Sequence, residues 1–362
     1  MRKRWVGALS ATALFVLMAM AVGGPGQARS GPPRVAPSTN VSHRIGPAAQ
    51  RQALAYWTPA RMRAATPAPM QITQDAAAAM GPLSAPDVGA PVAIPPTGGS
   101  ARSESAAPDV SPATCCPGQA YAYPPPFTRY AVFSGSYPLY PFRTNGKVFF
   151  QQGSSSYVCS GTVVTSAGHW LVETAGHCVA SSSTHAYSTH VTFVPAYRSG
   201  AAPFGTWTAS RLWAPADWLS SGNMRDDRGF IVLAPLSGHQ IQDVVGATGI
   251  LFNQPYLQSF TAFGYPQGSP FTGATMQVCT ASTAETDPFI GGAGSVPLGI
   301  GCDMTGGSSG GGWIVRFSSG GGYLNGHNDY QYNSPARPKE MFSPYFDNAE
   351  LSLYNCATDN VC

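Results

Sequence analysis

Asp303-Met304-Thr305-Gly306-Gly307-Ser308-Ser309-Gly310-Gly311-Gly312-Trp313-Ile314-Val315-Arg316-Phe317 changes texture at Trp313. Alone, a Gly-Ser run reads as a flexible linker. Here it is followed at once by an apolar, β-branched run that reads as a strand, which a linker would not be. Glycines on both sides of Ser309 permit the backbone angles of a concave turn. Such a turn presents Ser309 as a nucleophile and aims the N–H groups of Gly307 and Ser309 at a developing oxyanion. The same texture extends through the chain after residue 127. Lys147-Val148-Phe149-Phe150, Thr162-Val163-Val164-Thr165, His190-Val191-Thr192-Phe193-Val194, Gly229-Phe230-Ile231-Val232-Leu233 and Ser259-Phe260-Thr261-Ala262-Phe263 are separated by Gly, Ser, Pro and Asn. Short strands with frequent turns predict an all-β barrel or sandwich rather than βαβ units.

Two other segments supply partners for Ser309. In Thr174-Ala175-Gly176-His177-Cys178, His177 is the candidate general base, which needs a fixed backbone and rotamer. Cys178 can anchor that loop to the strand beginning at Cys159, so a Cys159–Cys178 disulfide is expected. In Asp226-Asp227-Arg228-Gly229-Phe230, an acid that orients an imidazole belongs at the start of a buried strand. Asp227 is preferred there, and Gly229 leaves room beside the histidine. Asp226 is the competitor, read as exposed or capping the turn.

These segments resemble the chymotrypsin-fold (trypsin-like) serine endopeptidases, in the bacterial branch that includes the glutamyl endopeptidases. The resemblance covers about residues 127 to 350, and Tyr56-Trp57-Thr58-Pro59 is loosely similar to pro-regions of that branch. It implies two six-stranded antiparallel β-barrels with the site in the cleft between them. It implies His177 as base, Asp227 as its orienter, Ser309 as nucleophile, and no cofactor or metal. Two departures stand out. Digestive relatives carry Asp directly before the serine, where it pairs with a new N-terminal ammonium; this chain has Ser308, which cannot form that pair. Asp303 stands where a basic-specific relative keeps its pocket-floor Asp, but beside Cys302 it equally fits a turn cap. The pocket wall is expected from Tyr323 to Tyr330, where His327 and Asn328 favour an acidic substrate side chain instead. Cys279–Cys302 would tie a strand to the nucleophile loop, and Cys115, Cys116, Cys356 and Cys362 leave three pairings open.

The rest of the chain points to export. Arg2, Lys3 and Arg4 precede an apolar stretch from Val6 to Val22 and small residues at Gly26-Gln27-Ala28, a signal-peptide pattern over 1–28. Residues 29–116 read as a pro-segment and Pro/Ala-rich linker, with a helix start at Thr58-Pro59 and too little apolar content after Thr66 to fold alone. The protease-like domain is expected over 117–362, with barrels at about 127–240 and 245–350. All 8 cysteines follow residue 114, which fits an oxidising destination. From residue 117 onward 10 Lys+Arg face 13 Asp+Glu with no basic run, which argues against nucleic acid. The expectation is thus a secreted monomer acting on polypeptides, without membrane association once the signal is cleaved. Gly307-Ser308-Ser309-Gly310-Gly311 also fits the elbow of α/β-hydrolases, but that fold needs a later acid and histidine with helices between strands. The remaining alternative is a catalytically silent β-barrel binding protein of protease ancestry.

Overall fold

Side chains alternate along Asn145–Gln152, sending Val148 and Phe150 into one apolar cluster and Phe149 into another. That period of two, with both faces buried, is what lets one strand serve a barrel interior and the seam outside it. The structure, a computed structural model, describes residues 40–80, 88–98, 118–122, 125–290 and 295–362. The expected signal peptide, Cys115 and Cys116 lie outside the described residues.

Six antiparallel strands close the first barrel: Asn145–Gln152, Ser155–Val163, Leu171–Thr174, Gly229–Leu233, Trp207–Pro215 and Thr189–Pro195, in that spatial order. Val148, Val163, Val172, Val191, Phe193 and Ile231 fill its core. Six more form the second: Glu340–Ser343, Leu298–Gly301, Gln277–Thr286, Ser259–Gly264, Gly312–Ser318 and Gly321–His327. A bridge between Tyr330 and Phe342 brings its ends together. Trp313 and Val315 enter this second core while Ile314, between them, joins Phe149 and Phe263 in the seam where the barrels meet. The fold is therefore two six-stranded antiparallel barrels.

Residues 40–80 and 88–98 are stitched onto this body. Asn40–Arg44 pairs antiparallel with Trp207–Pro215, and Val92–Ile94 pairs with Gly249–Phe252. Thr58 caps the helix Pro59–Ala64, its hydroxyl accepting from the Arg61 amide at 3.3 Å. Trp57, Met62, Ala65, Ala68 and Met70 are buried. Apolar residues too sparse for a core of their own are thus buried against a larger one. The helix Asn348–Asp359 packs Leu353 and Tyr354 into the seam, and Cys356–Cys362 closes its end. Among the described residues no helix is long and apolar enough to cross a membrane.

Candidate active site

The Cys159–Cys178 disulfide and the Ser160 main chain bracket the two loops that carry His177 and Ser309. Cys178 is bonded to Cys159, and the next residue, Ser160, donates its amide to the Ser309 carbonyl at 2.7 Å. The Ser160 hydroxyl donates to the Gly307 carbonyl at 2.9 Å and accepts from the Tyr265 amide. One strand thus holds the His177 loop covalently and the Ser309 loop by hydrogen bonds. Gly307 adopts φ +97 and Gly310 φ +75, in the left-handed region that favours glycine. Among the described residues the Gly307 and Ser309 N–H groups have no backbone acceptor. Ser309 Oγ and His177 Nε2 are both buried without a hydrogen-bond partner. Such a bond is commonly long before substrate arrives.

Asp227 stands two residues before the strand Gly229–Leu233 and is fully buried. Its Oδ2 lies 2.8 Å from His177 Nδ1, and its Oδ1 accepts the His177 amide at 2.6 Å. Ring and backbone are therefore fixed by one carboxylate. Gly229 packs against the Ala175 carbonyl and Val179, where a Cβ would clash at 2.7 Å with the valine. Asp226 instead faces Arg228, 3.5 Å away. Burial opposes the charged form of Asp227, but His177 and its hydrogen bonds hold the carboxyl below its usual range. Burial also opposes the imidazolium, yet Asp227 and then Asp329 outweigh it, so His177 is pushed up to about 10.

Asp329 and Glu173 carry no motif of their own in the sequence. Asp329 is fully buried, with one oxygen 3.6 Å from His177 Nδ1 and neither oxygen hydrogen-bonded. Burial and the Asp227 charge push its pKa well above the carboxylate range. Behind Asp227, His327 Nε2 lies 3.1 Å from the Asp227 carbonyl and Nδ1 lies 2.6 Å from Glu173 Oε1. Burial raises Glu173 and lowers His327, which favours the neutral form of each. The assignment that satisfies both ring nitrogens has the Glu173 acid donating to Nδ1 and Nε2–H donating to the Asp227 carbonyl. His327 therefore braces Asp227 from behind instead of lining the substrate pocket. The signal for Glu173 was a charged residue inside the apolar run Leu171-Val172-Glu173-Thr174.

Neither specificity candidate offers a free group to substrate. Asp303 pairs with Arg129 at 2.9 Å. Asn328 is fully buried: its amide donates to the Phe263 and Ser308 carbonyls at 2.7 and 3.2 Å, and its oxygen accepts from Trp313 Nε1. It pins the nucleophile turn. Cys279 is bonded to Cys302. His177, Asp227 and Asp329 bring ligand atoms within 4.8 Å of one another, a spacing a metal ion would fit. The 2.8 Å His177–Asp227 contact is itself a hydrogen-bond distance.

A cavity of about 260 Å³ adjoins His177, Asp227 and Asp329 and is walled on one side by Ala68, Met70 and Ile72. The segment from Ala65 to Ile72 follows this cleft. Thr66–Pro67 pairs parallel with Tyr157 and Val158, and Gln71–Ile72 pairs parallel with Gln331–Tyr332.

No protein-family model matches the chain, and neither does any curated protein. Solved structures do. Protease Anisep from Arthrobacter nicotinovorans is 44% identical, with a TM-score of 0.55, over 60% of this chain and 97% of that one. The thermostable serine protease AL20 from an extremophilic microorganism is 37% identical, with a TM-score of 0.56, over 60% of this chain and 98% of its own. With nearly the whole length of both relatives covered, and with two six-stranded barrels, this chain belongs to the chymotrypsin-fold serine proteases.

Proposed function

We propose that the chain is a secreted serine endopeptidase, made as a precursor, that cleaves peptide bonds through an acyl-enzyme on Ser309. The observation that carries this reading is the double grip of Asp227 on His177. It fixes the tautomer that leaves Nε2 free to accept the Ser309 proton. Ser309 Oγ then attacks the scissile carbonyl carbon, and the Gly307 and Ser309 N–H groups receive the oxyanion. As the tetrahedral intermediate collapses, His177 returns the proton to the leaving amine. Water, deprotonated by the same nitrogen, releases the acid product and restores Ser309.

Export is supported by the signal-peptide pattern and by three disulfides among the described residues. The precursor reading rests on Ala65 to Ile72, which lies along the cleft a substrate must enter. The test is incubation of the purified protein with casein and with a serine-directed phosphonate. Cleavage, covalent labelling of Ser309 and loss of both in Ser309→Ala are expected. Absence of labelling and cleavage after removal of residues 29–116 supports a silent binding protein instead.

A further inference from the structure

Met70 lines the cavity that adjoins His177, Asp227 and Asp329. Its carbonyl accepts the Gln331 amide at 2.8 Å, which ties it to the strand edge beside the cleft. Its sulfur lies 3.9 Å from the hydroxyl of Ser308, the residue immediately before the nucleophile. Two residues upstream, the Ala68 amide donates to the Val158 carbonyl, next to Cys159. The backbone is thus held by both barrels, and from this segment Pro67 packs beside Gly306 while the Met70 sulfur reaches Ser308. The side chain is almost fully buried, in an apolar cluster with Cys302, Met304 and Met341.

Asp329 lines the adjoining cavity, where burial favours its uncharged form, and the charged residues next to the cluster in sequence are engaged elsewhere. Asp303 is engaged by Arg129, and Glu340, beside Met341, is engaged by Arg337. A lysine, arginine, aspartate or glutamate entering the Met70 pocket would be buried without a charged partner. Two methionines in the surrounding cluster instead suit an unbranched, flexible apolar group, since thioethers adapt to irregular shapes. The segment also escapes attack. The Met70 carbonyl accepts from Gln331, and among the described residues neither the Gly307 nor the Ser309 N–H donates to it.

Resting on the reading of the chain as a serine endopeptidase, we infer that its primary specificity pocket takes unbranched or γ-branched apolar side chains, methionine and leucine. Met70 occupies that pocket in the full-length chain as a built-in occupant of the same class.

Two measurements test this. In the full-length Ser309→Ala protein, hydrogen exchange over residues 65–72 reads the occupancy of the pocket without needing activity. Met70→Leu should keep the wild-type protection, while Met70→Arg and Met70→Glu should each lower it by about tenfold or more, as expected for an unpaired buried charge. Full protection in either charged variant overturns the inference, because it reveals a complementary charge in the pocket. The second measurement is mass spectrometry of a mixed peptide library digested by the processed enzyme. Cuts after Met and Leu should exceed those after Arg, Lys, Asp or Glu by about tenfold or more. Phosphonate labelling of Ser309 combined with cuts after charged residues overturns the pocket assignment and leaves the endopeptidase reading standing. Absent labelling and cleavage would instead sink the endopeptidase reading.

Discussion

One imidazole faces two buried carboxyl groups, and they cannot share the same charge state. Asp227 makes both hydrogen bonds to His177, whereas Asp329 makes none. Two like charges this close ionise together only at high cost, so one is held neutral. Burial and Asp227 raise Asp329 well above the carboxylate range, which makes Asp329 the neutral partner. Asp329→Asn should then change kcat/KM at neutral pH by less than about tenfold, since a group already uncharged gives up little Coulomb energy. Asp227→Asn, which loses the anion and the tautomer, should cost about 10,000-fold in kcat. The base form of His177 is required, and its pKa is raised, so kcat/KM should climb with pH along a limb above the 6.5 of a free imidazole. Initial rates on a peptide ester from pH 5 to 10 check all three expectations. A limb below 6.5, or equal losses in the two variants, contradicts this division of charge. His177, Asp227 and Ser309 were legible because each sits in a short segment with its own backbone logic: a disulfide, a strand start and a glycine turn. Asp329 and His327 had no such local mark. Their roles come from how the strand Gly321–His327 and the residues after it turn behind the site, which no neighbouring letters record.

At the scale of elements, the barrel strands announced themselves through β-branched and aromatic runs, and the two disulfides expected near the site are the ones that close its loops. The segment across the cleft did not. Thr66–Pro67 and Gln71–Ile72 are two residues each, too short to show a period, and sit in Ala- and Pro-rich sequence. Their strand character comes wholly from partners 90 and more residues away, whose free edges accept them. A short peptide held by few backbone bonds is the kind of element that opens locally before the rest of the fold. Removing residues 29–116 should therefore raise hydrolysis of a small peptide substrate by about tenfold or more, since an apparent affinity scales with the fraction of open cleft. Adding the excised 40–98 peptide back should inhibit. Equal rates for the full-length and shortened proteins would show that Ala65 to Ile72 does not obstruct substrate.

Across the whole molecule, the buried acids set how stability responds to pH. Burial pushes Glu350 up to about 8 and Asp226 up to about 6, and raises Glu173 and Asp329 well above the usual range. In the unfolded chain all four release their protons near pH 4. Between that point and the folded values the native state binds more protons than the unfolded one, so stability falls as pH rises. Each such proton is worth about 1.4 kcal/mol per pH unit across its window. His177 acts in the same direction: its raised value adds stability below 6.5 that is lost as pH climbs through about 10. Lys147 opposes them. Burial lowers it to about 7, with its amine donating to Gln267 and to the Gly273 carbonyl, so above pH 7 the folded chain binds fewer protons there and stability rises. Between pH 5 and 7 the acids outnumber His327 and His190, whose lowered values act the other way, and Lys147 offsets them only above pH 7. Calorimetry of the full-length Ser309→Ala protein should therefore show a Tm that drops from pH 5 to pH 7 and flattens toward pH 9. Glu350→Gln, which keeps the shape and removes the titration, should make the descent shallower. A Tm that climbs from pH 5 to pH 7 would mean that these carboxyl groups are ionised in the folded protein.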